Sequence, residues 1–165
     1  MKKIISFTLV LLMILSLTGC QKAMYTEEDF IERARKEFNI ADAENAEITY
    51  IGEITKGDKA LLWFMSGNEY QAHTYLPVRC SVTEDGGYVF EHKYKPLERG
   101  TDIVVLTHWY SGYVFCVNNT KCKTIRIDDY SGEKEIEVTD YPFIYYNQLL
   151  PSEYSFLDEN GKEIN

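Results

Sequence analysis

Closely spaced turn signals run through most of this chain and limit its fold more than any other feature. Short clusters of Gly, Asn, Asp and Ser recur beyond residue 55, as in Lys56–Asp58, Glu84–Gly87 and Tyr110–Gly112. The segments between them are rich in Val, Ile, Tyr, Phe and Thr, which favour strands. Connections this short join antiparallel neighbours, because parallel strands need a longer crossover. The pattern predicts a curved antiparallel β-meander of about 8–10 strands.

A single helix is predicted before the strands. Thr26 can act as its N-cap, with Asp29 at the capping-box position and further acidic residues in the first turn. Phe30 and Phe38 belong to an apolar stripe at helical spacing. We expect a helix from Glu27 to Phe38 that packs on the meander, which makes the fold class α+β.

Two strand segments indicate which faces of the sheet are covered. Ala60–Met65 is apolar on both sides, as expected of a central strand that is covered twice, with the helix as one cover. In Glu69–Val82, alternate residues form an apolar side that includes Cys80, so we expect Cys80 to be a small buried side chain. The sequence leaves open whether the sheet curves into a partial barrel or folds into two packed layers.

The N-terminal residues have the layout of a secretory signal. Met1–Lys3 is positively charged, and the apolar run Ile4–Leu17 is shorter than the roughly 20 residues that span a bilayer. Leu17–Cys20, with the sequence LTGC, resembles the lipobox that the lipoprotein signal peptidase recognises. The resemblance implies that residues 1–19 are removed and that Cys20 carries a diacylglyceryl group. Two or three acyl chains are sufficient for stable anchoring.

The predicted mature chain has a lipidated tether, residues 20–25, and one globular α+β domain, residues 26–165. Its length suits a single domain with its own core. The predicted location is the extracytoplasmic face of the cell membrane. The stretch from Tyr141 to Ile164 and the hairpin around Asn118 resemble small lipoproteins of Gram-positive bacteria, a resemblance that assigns no role to any residue.

The mature chain is strongly acidic. Removal of residues 1–19 takes away two lysines and no acidic residue, so the formal charge falls from −9 to −11. Such a charge repels nucleic acid and anionic headgroups, and no run of Lys or Arg offsets it. We therefore predict that nucleic acid is not a partner.

The hairpin around Asn118–Thr120 brings two cysteines together in one register. If those residues form a three-residue loop, Cys116 stands opposite Cys122 on the neighbouring strand. The same register gathers five apolar residues on one face: Tyr113, Phe115, Val117, Ile125 and Ile127. A slip of one residue would separate the cysteines. We hypothesise a cross-strand disulfide between Cys116 and Cys122, which an extracytoplasmic location permits.

The sequence contains no recognisable catalytic or cofactor motif. His73, His92 and His108 lie in separate predicted strands, without the spacing of a metal site. Cys80 lies on an apolar face, which favours an inert thiol over a nucleophile. Asp158–Gly161 begins like a calcium loop but lacks the later ligands. We predict no enzymatic activity, no cofactor and no metal site.

Tyrosine is the one residue type in clear excess, with 13 in the chain. Exposed tyrosines favour protein interfaces and sugar stacking, although strand propensity also explains them. With the short tether and the acidic surface, they predict a protein-interaction module that is attached to the membrane by its lipid anchor. The alternative is a lipoprotein that binds a small ligand, a glycan or a metal, or a hydrolase whose site the sequence does not reveal.

Overall fold

The computed structural model describes residues 22–38, 46–67 and 73–164. The predicted signal peptide, the predicted lipidation site Cys20 and part of the Glu69–Val82 segment lie outside these residues. The described part contains helix α1, Glu27–Glu37, and eleven strands. The strands are β1 Ile48–Lys56, β2 Lys59–Ser66, β3 Thr74–Val82, β4 Tyr88–Lys93, β5 Leu97–Glu98, β6 Ile103–Trp109, β7 Gly112–Val117, β8 Thr124–Asp129, β9 Gly132–Glu137, β10 Phe143–Asn147 and β11 Pro151–Leu157. No helix in the described part is long and apolar enough to cross a membrane.

The strands form three antiparallel sheets. The first has the order β1-β2-β3-β4, with β5 paired to β3; the second is β10-β7-β6 and the third is β11-β8-β9. The sheets are not closed into a barrel. The predicted antiparallel α+β architecture is therefore confirmed, although the protein is mainly β. The prediction of a single meander of 8–10 strands is wrong, since the described residues alone form eleven strands in three sheets.

Three hydrophobic clusters join four layers, which are α1 and the three sheets. The first cluster joins α1 to one face of the first sheet, the second joins the other face to the second sheet, and the third joins the second sheet to the third. In β2, Leu62 and Phe64 face α1, whereas Leu61 and Trp63 face the second sheet. The prediction that Ala60–Met65 is covered on both sides, once by the helix, is confirmed. Three stacked sheets replace the expected partial barrel or two layers.

Helix α1 begins as the sequence predicts. The Thr26 side chain accepts a hydrogen bond from the backbone N–H of Asp29, and the Asp29 carboxylate accepts one from the backbone N–H of Thr26, which completes the capping box. Phe30 and Phe38 are buried in the first cluster. The helix ends at Glu37, where Phe38 leaves the helical conformation.

The predicted hairpin between β7 and β8 is not formed. β7 lies between β6 and β10, so both of its edges are occupied and β8 must cross to the next layer. Cys116 lies opposite Val104 and Ile144 and faces the first sheet, whereas Cys122 packs in the cluster between the second and third sheets. Both are buried free thiols. The register that motivated a Cys116–Cys122 disulfide is therefore wrong.

The three described thiols are expected to be unreactive in the native protein. Burial raises the pKa of Cys80 to about 12 and also raises the pKa values of Cys116 and Cys122, so little thiolate forms at neutral pH. A thiol-specific chromogenic reagent should titrate none of them until denaturant is added, and then all three. If non-reduced, denatured protein showed only one reactive thiol, two of the cysteines would be joined in a disulfide and the fold around them would be contradicted.

Candidate interaction surfaces

Five connections meet at one end of the stacked sheets, which we call the loop end. They are the β1–β2, β3–β4, β6–β7 and β8–β9 turns and the link between β10 and β11. Contacts between neighbouring connections establish this arrangement. The backbone N–H of Val82 donates to the carbonyl of Asp58 at 2.8 Å, which joins the first two turns. The Lys56 ammonium lies 4.9 Å from the centre of the Tyr110 ring, which joins the first sheet to the β6–β7 turn.

Gly112 allows the β6–β7 turn to approach the end of β10 closely. A Cβ atom at this position would lie 2.0 Å from the backbone oxygen of Asn147, closer than any real contact. The Asn147 side chain in turn donates to the Asp129 carboxylate at 2.9 Å and to the carbonyl of Leu149 at 2.8 Å. The second and third sheets are thereby joined at the loop end.

Asp129 organises the β8–β9 turn as a buried carboxylate. Its oxygens accept hydrogen bonds from the Lys134 ammonium at 2.8 Å, from the hydroxyl and backbone N–H of Ser131 at 2.5 and 2.8 Å, and from Asn147. Lys134 first, then Ser131 and Asn147, hold the pKa of Asp129 well below its ordinary value. The network fixes the turn and leaves the Tyr130 side chain 99% exposed at its tip.

The loop end carries most of the exposed large apolar side chains of the described residues. There are six such side chains, and only Tyr154, on β11, lies away from this end. The other five are Tyr25, Tyr110, Tyr130, Leu149 and Leu150. Isolated exposed apolar residues are ordinary, but a concentration on one surface indicates an interaction site.

The opposite end of the sheets, in its described part, is polar. Its connections carry exposed or partly exposed charged and amide side chains, among them Arg99, Asn119, Lys121, Asp140 and Glu159. The loop-end turns also carry exposed acids, Asp58, Glu84 and Asp85. The two ends therefore differ in their exposed large apolar side chains and not in the presence of charge.

The N-terminal segment joins the domain at the loop end. Met24 is buried and pairs with Tyr88 through two backbone hydrogen bonds of 2.8 Å. The Tyr25 hydroxyl donates to the Asp85 carboxylate in the β3–β4 turn at 2.7 Å. Residues 24 and 25, which were predicted to belong to the tether, thus pack against the domain.

The outer face of the third sheet is open and acidic. A shallow groove of about 430 Å³ crosses it, lined in part by Asp128, Glu133, Glu153 and Glu163. Arg126 pairs with Glu135 on this face at 2.9 Å. The groove resembles neither the enclosed apolar pocket typical of small-molecule sites nor a metal site. Within the described part of the chain, no group of three or more His, Cys, Asp or Glu side chains could hold a metal ion.

The three histidines are not brought together. His73 bonds through Nδ1 to the Asp102 carboxylate at 2.9 Å, and the buried Tyr75 hydroxyl donates to the same oxygen. His92 is exposed on β4, and His108 is exposed next to the β6–β7 turn. The described contacts of His73 include no serine or cysteine that it could activate. The His73–Asp102 pair was not anticipated from the sequence, because 29 residues separate its members.

Cys80 lies where the sequence places it. It is fully buried against α1, in the same cluster as Leu76 and Val78. The residues that sequence analysis missed are those of the loop end. The sequence did contain a signal for these exposed residues, because Tyr130 and Leu149–Leu150 are large apolar residues directly inside turn or link segments.

Comparison of the chain with protein-family models, with curated proteins and with solved structures gives no significant match.

Proposed function

We propose that this protein is an extracytoplasmic lipoprotein, anchored through Cys20, whose domain binds a protein partner at the membrane surface. One observation carries the proposal: Met24 is already part of the folded domain. The predicted tether is thereby reduced to residues 20–23. From Cys20 to Met24 an extended chain reaches at most about 14 Å. A lipid on Cys20 would hold the domain against the bilayer.

A domain that is held this close to the bilayer can reach only a restricted set of partners. The anchor confines it to a thin layer above the lipid and raises its effective concentration toward proteins in the same layer. A long tether, by contrast, would let the domain reach partners far from the bilayer. The short tether favours a membrane-plane assembly partner, an inhibited enzyme or a complex to which this chain is an accessory subunit.

The acidic outer face of the third sheet favours a protein partner with a basic contact surface. The outer face of the third sheet presents the carboxylates of Glu133, Glu153 and Glu163, which would be complementary to such a surface. The packed core offers no enclosed reaction chamber among the described residues, and the groove on the outer face is shallow and polar. These features support binding over chemical transformation.

Photo-crosslinking in living cells tests the proposal. A photoreactive amino acid replaces the exposed Glu153, and crosslinked products are compared between two forms of the lipidated protein. In one form a Gly/Ser spacer of about 15 residues follows Gln21, which gives the tether a mean span of roughly 20 Å more. In the control form the same spacer follows Asn165 and leaves the tether unchanged.

We expect a discrete crosslinked partner with the control form and markedly less of it with the extended tether. The Cys20→Ser form should give none. Equal capture by all three forms would contradict a partner that is confined to the membrane surface.

A further inference from the structure

We infer that the surface formed by α1 and the outer edge of β4 faces the lipid bilayer and that its lysine side chains contact headgroup phosphates. We call this surface the α1–β4 flank. It contains a groove of about 160 Å³, lined in part by Lys22, Asp29, Glu32, Arg33 and Lys36. The inference rests on the proposed anchor at Cys20 and names the surface that the anchor brings to the lipid.

The path of the N-terminal segment is the first observation. Met24 and Tyr88 form an antiparallel bridge, so the residues before Met24 lie beside those that follow Tyr88 in β4. Lys22 and Phe90 accordingly line the same groove. The chain toward Cys20 therefore runs along β4 and away from the loop end.

Helix α1 follows β4 in the same direction. It begins beside the β3–β4 turn, to which Tyr25 is hydrogen-bonded. Further along, the Arg33 guanidinium lies 4.0 Å from the centre of the Phe90 ring. At the end of both elements, the Lys93 ammonium donates to the carbonyl of Glu37 at 2.6 Å. The N-terminal segment, α1 and β4 thus leave the loop end side by side.

The reach of the remaining chain limits where the lipid can lie. Two extended residues span about 7 Å, the most that separates Lys22 from Cys20. Stacked sheets lie about 10 Å apart, and the second sheet lies between the first and the third. A lipid on Cys20 therefore cannot lie beyond the third sheet, and the bilayer comes closest to the domain at the α1–β4 flank.

The charge of the α1–β4 flank favours contact with phosphates. Helix α1 carries its acidic residues Glu27–Asp29 in the first turn, near the loop end, and Arg35 and Lys36 in the last turn. The groove itself has three cations and two carboxylates, a formal charge of +1. The groove on the outer face of the third sheet has one cation and four carboxylates, a formal charge of −3. Headgroup phosphates are therefore attracted to the first groove and repelled by the second.

Two lysines of the groove are exposed enough to reach the headgroups. The Lys22 side chain is 90% exposed, and its ammonium lies 3.8 Å from the Asp29 carboxylate. The Lys36 side chain is 65% exposed and pairs with Glu32. Exposed ion pairs of this kind contribute little stability, so a phosphate can replace the carboxylate at little cost. Lysine can also extend its ammonium into the headgroup layer while its methylene stem stays on the protein.

Fluorescence quenching tests the inference on the full lipidated protein in vesicles of phosphatidylcholine and phosphatidylglycerol. A reporter cysteine is introduced on the α1–β4 flank by Glu32→Cys or, as the matched control, on the outer face of the third sheet by Glu153→Cys. A third reporter, Gln148→Cys, marks the loop end. All three positions are exposed and the described native thiols are buried, so a maleimide dye labels the reporter selectively. Phospholipid with a nitroxide on its headgroup serves as the quencher.

We expect strong quenching at position 32 and little at positions 153 and 148, in protein that floats with the vesicles. Equal quenching at the three positions, or the strongest quenching at 153 or 148, would overturn the inference and leave the anchor intact. Failure of the parent protein to float would instead refute the anchor on which the inference rests.

Charge reversal tests the contact with phosphates separately from the placement of the flank. Lys22→Glu combined with Lys36→Glu should reduce the quenching at position 32, while the protein still floats through its lipid. The matched control reverses two exposed cations on connections of the third sheet, by Lys121→Glu combined with Lys162→Glu, and should leave the quenching unchanged. Equal quenching of the two double variants would refute the contact between these lysines and headgroup phosphates.

Discussion

Replacing Phe115 with alanine should cost about 3–5 kcal/mol of folding free energy. Phe115 is fully buried between the second and third sheets. Its ring lies 5.2 Å from that of Tyr154 and 6.1 Å from that of Phe156, measured between centroids. The change therefore leaves a cavity in the apolar contact between the second and third sheets. Urea denaturation followed by far-ultraviolet circular dichroism measures the loss.

Tyr130→Ala provides the matched control for Phe115→Ala. It removes a ring of similar size that contacts solvent, so its effect should stay within about 0.5 kcal/mol. If the two variants had similar urea midpoints, the packing of the second sheet on the third would be contradicted.

Replacing Asp129 with alanine should give the second large loss of stability. The substitution leaves the Lys134 ammonium, the Ser131 hydroxyl and the Asn147 amide without their common acceptor. Asn147 is buried with Asp129, and removal of one member of a buried polar pair leaves the other with an uncompensated desolvation cost. Asp128→Ala is the control, because that neighbouring side chain is exposed and its loss should change the unfolding free energy by at most about 0.5 kcal/mol.

The contribution of Asp129 should also depend on pH in a defined direction. Its folded-state pKa is lowered, so the ionised carboxylate stabilises the fold fully above the unfolded-state pKa of about 3.9. That contribution is lost as the pH falls below this value toward the folded-state pKa. The difference in urea midpoint between the wild type and Asp129→Ala should be constant near neutrality and shrink below about pH 4. A difference that grew on acidification would show that Asp129 is not held as an anion.

Local patterns predicted individual elements well. The capping residues Thr26 and Asp29 and the stripe through Phe30 are sufficient to define α1, because they act within a few residues of sequence. The two-sided apolar run of β2 likewise indicated a central strand with two covers. In each case the interactions that define the element involve residues that are close together in the sequence.

Pairing between strands was predicted less well, and the β7–β8 region shows the reason. Tyr113, Phe115 and Ile125 do share one hydrophobic cluster, as expected. They meet face to face across two layers and not side by side in one hairpin, so the same apolar pattern fits both arrangements. Which one forms depends on β10, a later strand that occupies the free edge of β7. Sequence periodicity carries no information on that competition.

The loop end was not predicted for a related reason. Its surface is assembled from Tyr25, Tyr110, Tyr130 and the Leu149–Leu150 link, which are distant in sequence and come together only when three sheets are stacked. Each residue alone is an unremarkable exposed apolar side chain. They indicate an interaction site only because they lie at the same end of the sheets, close to the N-terminal segment.

Metabolic labelling with an alkyne fatty acid tests whether the domain is attached to the membrane through Cys20. We predict that the wild-type chain incorporates the label and sediments with membranes, and that Cys20→Ser loses the label and leaves the membrane fraction. A wild-type chain without label, or a Cys20→Ser chain that keeps it, would show that Cys20 is not the site of lipid attachment.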